Sequence, residues 1–236
     1  LDCDDARKGR GVTGRTGHAI KWAGQGDCAM MDGTARKIIQ PGLDRVGVWL
    51  ARRGVKADHV TVFACLVGLA AASLIALGYM IAALLLIIVS RVCDGLDGSV
   101  ARASRRTDFG GYLDITLDFV FYGAVPLAFV IHDPAANALA GAALIFSFYI
   151  NGASFLAYAI VAEKRGLSTE ARGVKSIYFT TGLAEASETY IVFGIFCLWP
   201  AWFAPVAWVF AAICLYTALS RIMQARAEFP NEPSEA

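Results

Sequence analysis

No lysine or arginine falls between residues 57 and 90, between 107 and 163, or between 176 and 220. Charge is scarce throughout: 17% of the 236 residues are charged, while 57% are hydrophobic. A soluble domain carries about a quarter charged residues, so this balance is that of a membrane protein. The 21 basic residues are confined to the gaps between those stretches and to the two ends. That distribution excludes a continuous basic patch for nucleic acid and fits basic loops between membrane spans. Paired cysteines are lacking too, since positions 3, 28, 65, 93, 197 and 214 form no CxxC. Four of the six lie in or beside apolar runs, where cysteine behaves as a small hydrophobe. Neither a disulfide framework nor a zinc site is expected. The first thirty residues have no initiator methionine, no apolar run of the signal-peptide kind and no hydrophobic period. Residues 1–30 are therefore expected to be disordered, or to precede a true start at Met30 or Met31.

A bilayer core needs about 20 apolar residues per helix. Val60 to Ser90 is uncharged and too long for one span, and Leu77-Gly78-Tyr79 offers a turn, so two helices are expected at 58–78 and 80–102. Further spans are expected at 108–131, 136–162, 175–198 and 204–225, with HDPAAN at 132–137 and LWPAWFAP before the last span as turns. The segment 31–57 places Leu43, Val46, Val48, Trp49 and Leu50 among Arg45, Arg52, Arg53 and Lys56. This suits an amphipathic helix on an anionic leaflet. The fold expected is thus an all-α membrane protein, six transmembrane helices over residues 58–226 preceded by a juxtamembrane amphipathic helix and followed by a flexible tail at 227–236. Every basic loop lies on one side of that arrangement, so both termini and those loops are assigned to the cytoplasm.

The second expected span ends in RVCDGLDGSVAR. Asp94 and Asp97 are three apart and share a helix face, and Asp114 and Asp118 are four apart and share another. A short basic loop folds the two helices antiparallel, so all four carboxylates should converge. Four anions in a low-dielectric site cannot all stay ionised alone. Bound divalent cations make them tolerable, and oxygen-only ligands suit Mg²⁺, Mn²⁺ or Ca²⁺. Two such ions would clamp a diphosphate. Gly95, Gly98, Gly110 and Gly111 would let a ligand approach the backbone, and Arg102 offers a planar donor for phosphate oxygens. The plainer alternative is that the acids pair with Arg91, Arg102, Arg105 and Arg106. Asp118, about ten residues into a span, is too costly to bury without a function or a partner.

The ordered set Asp94-x2-Asp97-Gly98-x2-Ala101-Arg102-x7-Gly110-x3-Asp114-x3-Asp118 resembles the signature of the CDP-alcohol phosphatidyltransferases. The similarity extends over about 40–226, and LDITLDFVFYGAVPLAF and KSIYFTTGLAEASETYIVF look like a bacterial inner-membrane subgroup placed beside phosphatidylglycerophosphate synthases. The resemblance implies transfer of the phosphatidyl group of CDP-diacylglycerol to a small alcohol, glycerol 3-phosphate among the candidates, with release of CMP. It implies two Mg²⁺ or Mn²⁺ ions on Asp94, Asp97, Asp114 and Asp118, with Asp118 also the catalytic base. Thr61, Gly98, Ala101, Arg102 and Gly110 would contact the nucleotide. Where the family often has Pro-Asn-x-x-Thr, this chain has Ala57-Asp58-His59-Val60-Thr61, which keeps Thr61 and replaces the asparagine with Asp58. Membrane lipids and a second copy in a homodimer are the expected partners.

The acceptor pocket is assigned to Asn151, Lys175, Glu185 and Glu188, with Ser154 beside them. Its acids favour hydroxyls or an amine, whereas Lys164, Arg165, Arg172, Lys175 and Arg221 would favour a phosphate. Hydrogen bonding between helices is the alternative role for Glu185, Glu188 and Asn151. Two other function classes are open on the residues. Intramembrane acids also line ion paths in transporters, although here they cluster at one face. An aspartate-rich prenyltransferase also uses metal-bound diphosphate, but the DGxxAR segment has no place in its motifs.

Overall fold

A computed structural model describes residues 32–165 and 186–229, with side chains from residue 40 onward. Among the described residues the chain forms α1 (Asp32–Arg52), α2 (Ala57–Ala76), α3 (Met80–Ala103), α4 (Asp108–His132), α5 (Pro134–Lys164), α6 (Ala186–Leu198), a 3-10 turn (Pro200–Trp202) and α7 (Phe203–Glu228). Among the described residues, four stretches are long and apolar enough to cross a membrane: α2, α4, α5 and Pro200–Glu228. The 24-residue α3 has the length of a span but carries Arg91, Asp94 and Asp97 toward its C-terminal end. The described part of the helix expected at 175–198 is the shorter apolar α6. The expectations for residues 1–30 and 230–236, and for the start of that helix, lie outside the described residues.

The helix ends follow from local chemistry. α2 stops because Gly78 adopts φ +87°, which lets Gly78 N–H bond Ile75 O at 2.9 Å and Tyr79 N–H bond Leu74 O at 2.9 Å. Gly54, at φ +79°, closes α1 in the same way. Both are Schellman ends, in which glycine's tolerance of positive φ satisfies the last carbonyls. Thr107 Oγ1 accepts from Gly110 N–H at 3.0 Å and caps α4. The turn expected at 132–137 is shorter than its sequence suggests. Asp133 alone separates α4 from α5, because its Oδ1 accepts from Ala136 N–H at 3.1 Å and Pro134 sits in the first helical position, where no N–H is needed.

α2 packs against α3 and α4, α5 against α4 and α7, α1 against α3, and α3 against α6. The core is built on Phe121, Phe129, Phe193, Phe196 and Phe203, all fully buried. Phe129 and Phe203 stack with centroids 4.8 Å apart, tying α4 to the start of α7. Glycine admits close contact where α2 crosses its neighbours: a Cβ on Gly68 would lie 2.6 Å from the Phe121 ring and 3.1 Å from Ser90 Oγ. Ser90 Oγ donates across to Ala64 O at 2.7 Å, so the crossing is also a polar tie. Phe121 cannot retreat from a core this close-packed. Gly68→Ala should lower unfolding stability in detergent by about 1–3 kcal/mol. Gly123→Ala, with nothing within 4 Å of the added methyl, should be neutral or stabilising by up to about 1 kcal/mol. Equal stabilities for the two variants would contradict the packing at Gly68.

Candidate active site

α3 and α4 meet at the Ser104–Thr107 connection, and their facing turns bring the acids together. One carboxylate oxygen from each of Asp94, Asp97 and Asp114 can be chosen so that all lie within 4.8 Å of one another. The donor set is oxygen only, comes from two helices and is largely shielded, Asp97 being 7% exposed. That combination fits a hard divalent cation. Thr61 on α2 donates its hydroxyl to Asp97 Oδ2 at 2.6 Å, which fixes the carboxylate as an outer-shell donor fixes a metal ligand. Thr61 therefore reaches the acid cluster itself, through Asp97.

Asp118 stands outside this triad. Its Oδ1 accepts from Arg91 Nη1 at 2.8 Å, and the same nitrogen lies 3.5 Å from Asp94 Oδ2. The Arg91 side chain is 10% exposed, and its guanidinium lies 4.0 Å from the Phe121 ring centroid. It donates to Ser90 Oγ at 3.0 Å and to Tyr190 OH at 3.4 Å, and the Tyr190 and Tyr122 hydroxyls are 3.0 Å apart. A buried cation thus forms the floor of the acid cluster, with an aromatic face and two tyrosines around it. The ion-pair alternative drawn from the sequence holds for Arg91, while three of the four acids still converge.

The expected nucleotide residues lie on the turns around the triad. Arg102 Nη2 donates to Ser99 Oγ at 2.8 Å and to Asp44 Oδ1 on α1 at 2.8 Å. Its Nη1 lies 3.5 Å from where a Cβ on Gly98 would stand. Ala101 is half-buried on the same helix. A Cβ on Gly110 would lie 3.0 Å from Asp58 Oδ1 and 3.0 Å from Thr107 Oγ1, so Asp58 sits where α4 begins. Gly95 is exposed, and its Cβ position lies 3.3 Å from Leu43 Cδ1 of α1, so α1 borders the face that glycine leaves open.

Of the acceptor residues, Lys175 and Glu185 lie outside the described residues. Asn151 and Ser154 on α5 meet Arg221 on α7, whose Nη1 donates to Asn151 O at 3.0 Å, Asn151 Oδ1 at 3.0 Å and Ser154 Oγ at 2.7 Å. Glu188 is half-buried in the first turn of α6, where Ser187 Oγ donates to its Oε2 at 3.1 Å. The sequence reading missed Asp44, Tyr122 and Tyr190. Asp44 had a signal in Gln40 and Gly47, which lie one turn away on its helix face. The tyrosines had none, being ordinary residues of the apolar helices α4 and α6.

A family model described as CDP-alcohol phosphatidyltransferase matches residues 55–220. The chain is 42% identical over 193 residues to inner membrane protein YnjF of Escherichia coli (strain K12), a match covering 82% of this chain and 94% of YnjF. Its fold is similar to that of the phosphatidylinositol phosphate synthase PgsA1 of Mycobacterium tuberculosis with CDP-DAG bound. The TM-score is 0.64 at 20% identity, over 81% of this chain and 98% of that one. The same synthase in complex with manganese and citrate gives a TM-score of 0.64 at 20% identity, over 81% of this chain and 93% of that one.

Removing one member of a buried ion pair leaves the other charge stranded. Arg91→Met should therefore lower metal-free stability by about 3 kcal/mol, measured by chemical unfolding in detergent. Adding Mn²⁺ should restore part of the loss. A variant as stable as the parent in the presence of a chelator would contradict the pairing.

Proposed function

The chain belongs to the CDP-alcohol phosphatidyltransferase family, and from that premise we propose that it transfers the phosphatidyl group of CDP-diacylglycerol to a small alcohol, releasing CMP. The observation that carries this reading is the convergence of Asp94, Asp97 and Asp114 beside Asp118, which Arg91 holds separately. Asp94, Asp97 and Asp114 are the ligands of a divalent ion, with Asp118 toward a second. The metal, Mn²⁺ or Mg²⁺, supplies positive charge against the diphosphate when bound. The manganese complex of the Mycobacterium tuberculosis synthase supports the first of these, and CDP-DAG in the other structure supports the donor.

Each residue then has a task. Arg91 donates to Asp118 Oδ1 and so holds the carboxylate in place for the acceptor's proton. Asp118 removes that proton as the acceptor oxygen bonds to the lipid-side phosphorus. The bond from that phosphorus to the CMP oxygen breaks, and its electron pair leaves with CMP. Gly98, Ala101 and Gly110 leave room for the nucleotide, Thr61 steadies Asp97, and Arg102 takes a phosphate oxygen. The acyl chains stay in lipid while the head group enters the polar end of the helices.

The acceptor we assign is an alcohol that already bears a phosphate. Arg221, gathered with Asn151 and Ser154, supports an anionic group, and Lys175 would add to it. Glu185 and Glu188 suit the hydroxyls. Glycerol 3-phosphate and inositol phosphate both meet this description, the latter suggested by the Mycobacterium tuberculosis synthase. The membrane arrangement we infer has six spans within 58–226: α2, α3, α4, α5, the helix that includes α6, and α7. α1 lies on the inner-membrane surface, and the site and both termini face the cytoplasm. Arg52, Arg53, Lys56, Arg105, Arg106, Lys164 and Arg226 all fall at that end, while Tyr79, Trp199 and Trp202, each more than half exposed, fall at the other. A homodimer is the natural assembly.

Purified protein with CDP-diacylglycerol, Mn²⁺ and candidate alcohols should release CMP and form a lipid of the mass expected from a phosphorylated acceptor. Product from unphosphorylated alcohols alone would overturn the acceptor class. Asp118→Asn should stay folded and lose a factor of about 10²–10⁴ in turnover. Near-normal turnover in that variant would remove the base assignment.

A further inference from the structure

α1 touches α3 along one face. Leu43 Cδ1 lies 3.3 Å from the Cβ position of Gly95, and a Cβ on Gly47 would lie 2.7 Å from Ser99 Cβ and 2.9 Å from the Ser99 carbonyl carbon. Such a gap admits only glycine, so the two backbones are locked at that point. One turn before Gly47, Asp44 faces Arg102. Asp44 Oδ1 accepts from Arg102 Nη2 at 2.8 Å and from Gln40 Nε2 at 2.9 Å. Arg102 Nη2 also donates to Ser99 Oγ at 2.8 Å, and Gln40 reaches the same hydroxyl at 3.4 Å. The guanidinium beside Asp44, helped by Gln40, holds its carboxyl below the usual carboxylate range. Both hydrogens of Nη2 are therefore committed, whereas Nη1, over Gly98, takes no acceptor among the described residues.

We propose that Asp44 is a positioning residue for donor binding: through Arg102 Nη2 it fixes the guanidinium so that the free Nη1 edge faces the nucleotide's phosphates across Gly98. Arg102 ends α3 at the membrane surface, and an unrestrained arginine there would sample many rotamers. Ordering it beforehand removes that loss from the binding step. The pairing also makes α1 part of the nucleotide site. The same helix exposes Val46 and Trp49, 46% and 50% exposed, with the Arg53 guanidinium 3.8 Å from the Trp49 ring centroid. Seating on the lipid surface and grip on the nucleotide thus share one rigid element.

The inference rests on the reading of Arg102 as a phosphate contact, and the test separates the two. CMP binding to the full chain is measured by calorimetry in Mn²⁺-containing detergent, alongside KM and kcat for CDP-diacylglycerol. Arg102→Gln should weaken CMP binding by about tenfold or more. Asp44→Asn should weaken it by about fivefold to tenfold and raise KM by a similar factor, with kcat held within about twofold. Asp44→Glu, which keeps the charge, should recover most of the affinity. Gly47→Val, which forces α1 off Ser99, should reproduce the Asp44→Asn effect without touching either charge. If Arg102→Gln weakens binding and Asp44→Asn does not, the positioning role is overturned and the Arg102 contact stands. If Arg102→Gln leaves CMP binding unchanged, the contact falls and the positioning role with it. A lower melting temperature in Asp44→Asn with unchanged CMP affinity would show a purely structural link and would also overturn the role.

Discussion

Carboxylates set into a membrane helix must be matched by positive charge, and the arrangement of α3 and α4 follows from that constraint. Four aspartates arrive at the same end of an antiparallel pair, and the chain answers them in two ways. Asp118 receives a fixed cation from its own protein, Arg91, at 2.8 Å. Asp94, which the same Arg91 nitrogen approaches to 3.5 Å, joins Asp97 and Asp114 around a space bounded by oxygen atoms within 4.8 Å of one another, which an exchangeable divalent ion suits. The division gives the acids different chemistry. On the proposed reading, the aspartate bonded to arginine would take the acceptor's proton and the three that converge would hold the metal.

The packing around the cluster serves this division. Phe121 is fully buried; it closes over Gly68 on one side and lies under the Arg91 guanidinium. Ser90 receives a hydrogen bond from Arg91 and donates one to Ala64 O, so the same side chain joins the ion-pair network to the α2–α3 crossing. Thr61 extends α2 into the acid cluster through Asp97. Helix packing and the electrostatics of the site are one construction, in which a change at Ser90 reaches Asp118 through Arg91, and one at Gly68 through Phe121 and Arg91. On the outer side, α1 is locked to α3 at Gly47 and Ser99.

Most of the helices could be read from the sequence because hydrophobic runs and glycine turns act locally. The uncharged run from Val60 to Ser90 broke at Gly78, where positive φ is required. The acids were legible because their spacing of three and four residues fixes a shared helix face whatever lies around them. HDPAAN was read too long, since a polar stretch with proline suggests a loop until Asp133 is seen capping a helix that Pro134 begins. Leu43 of α1 borders the exposed Gly95, a contact that only the docking of α1 reveals. Arg91 was visible as a charge, but its choice of Asp118 depends on the rotation of α4 about its axis. The fine structure of the acceptor end was least legible. Asn151 and Ser154 were found by polarity inside an apolar helix, and their bond to Arg221 required the pairing of α5 with α7.

The central claim is that the carboxylates of Asp94, Asp97 and Asp114 are the seat of a divalent ion. Crystals grown with manganese and recorded at its absorption edge test this most directly. The account predicts an anomalous peak coordinated by all three side chains, with Arg91 still bonded to Asp118. Manganese-loaded crystals in which those three side chains are ordered but carry no anomalous peak between them would contradict it.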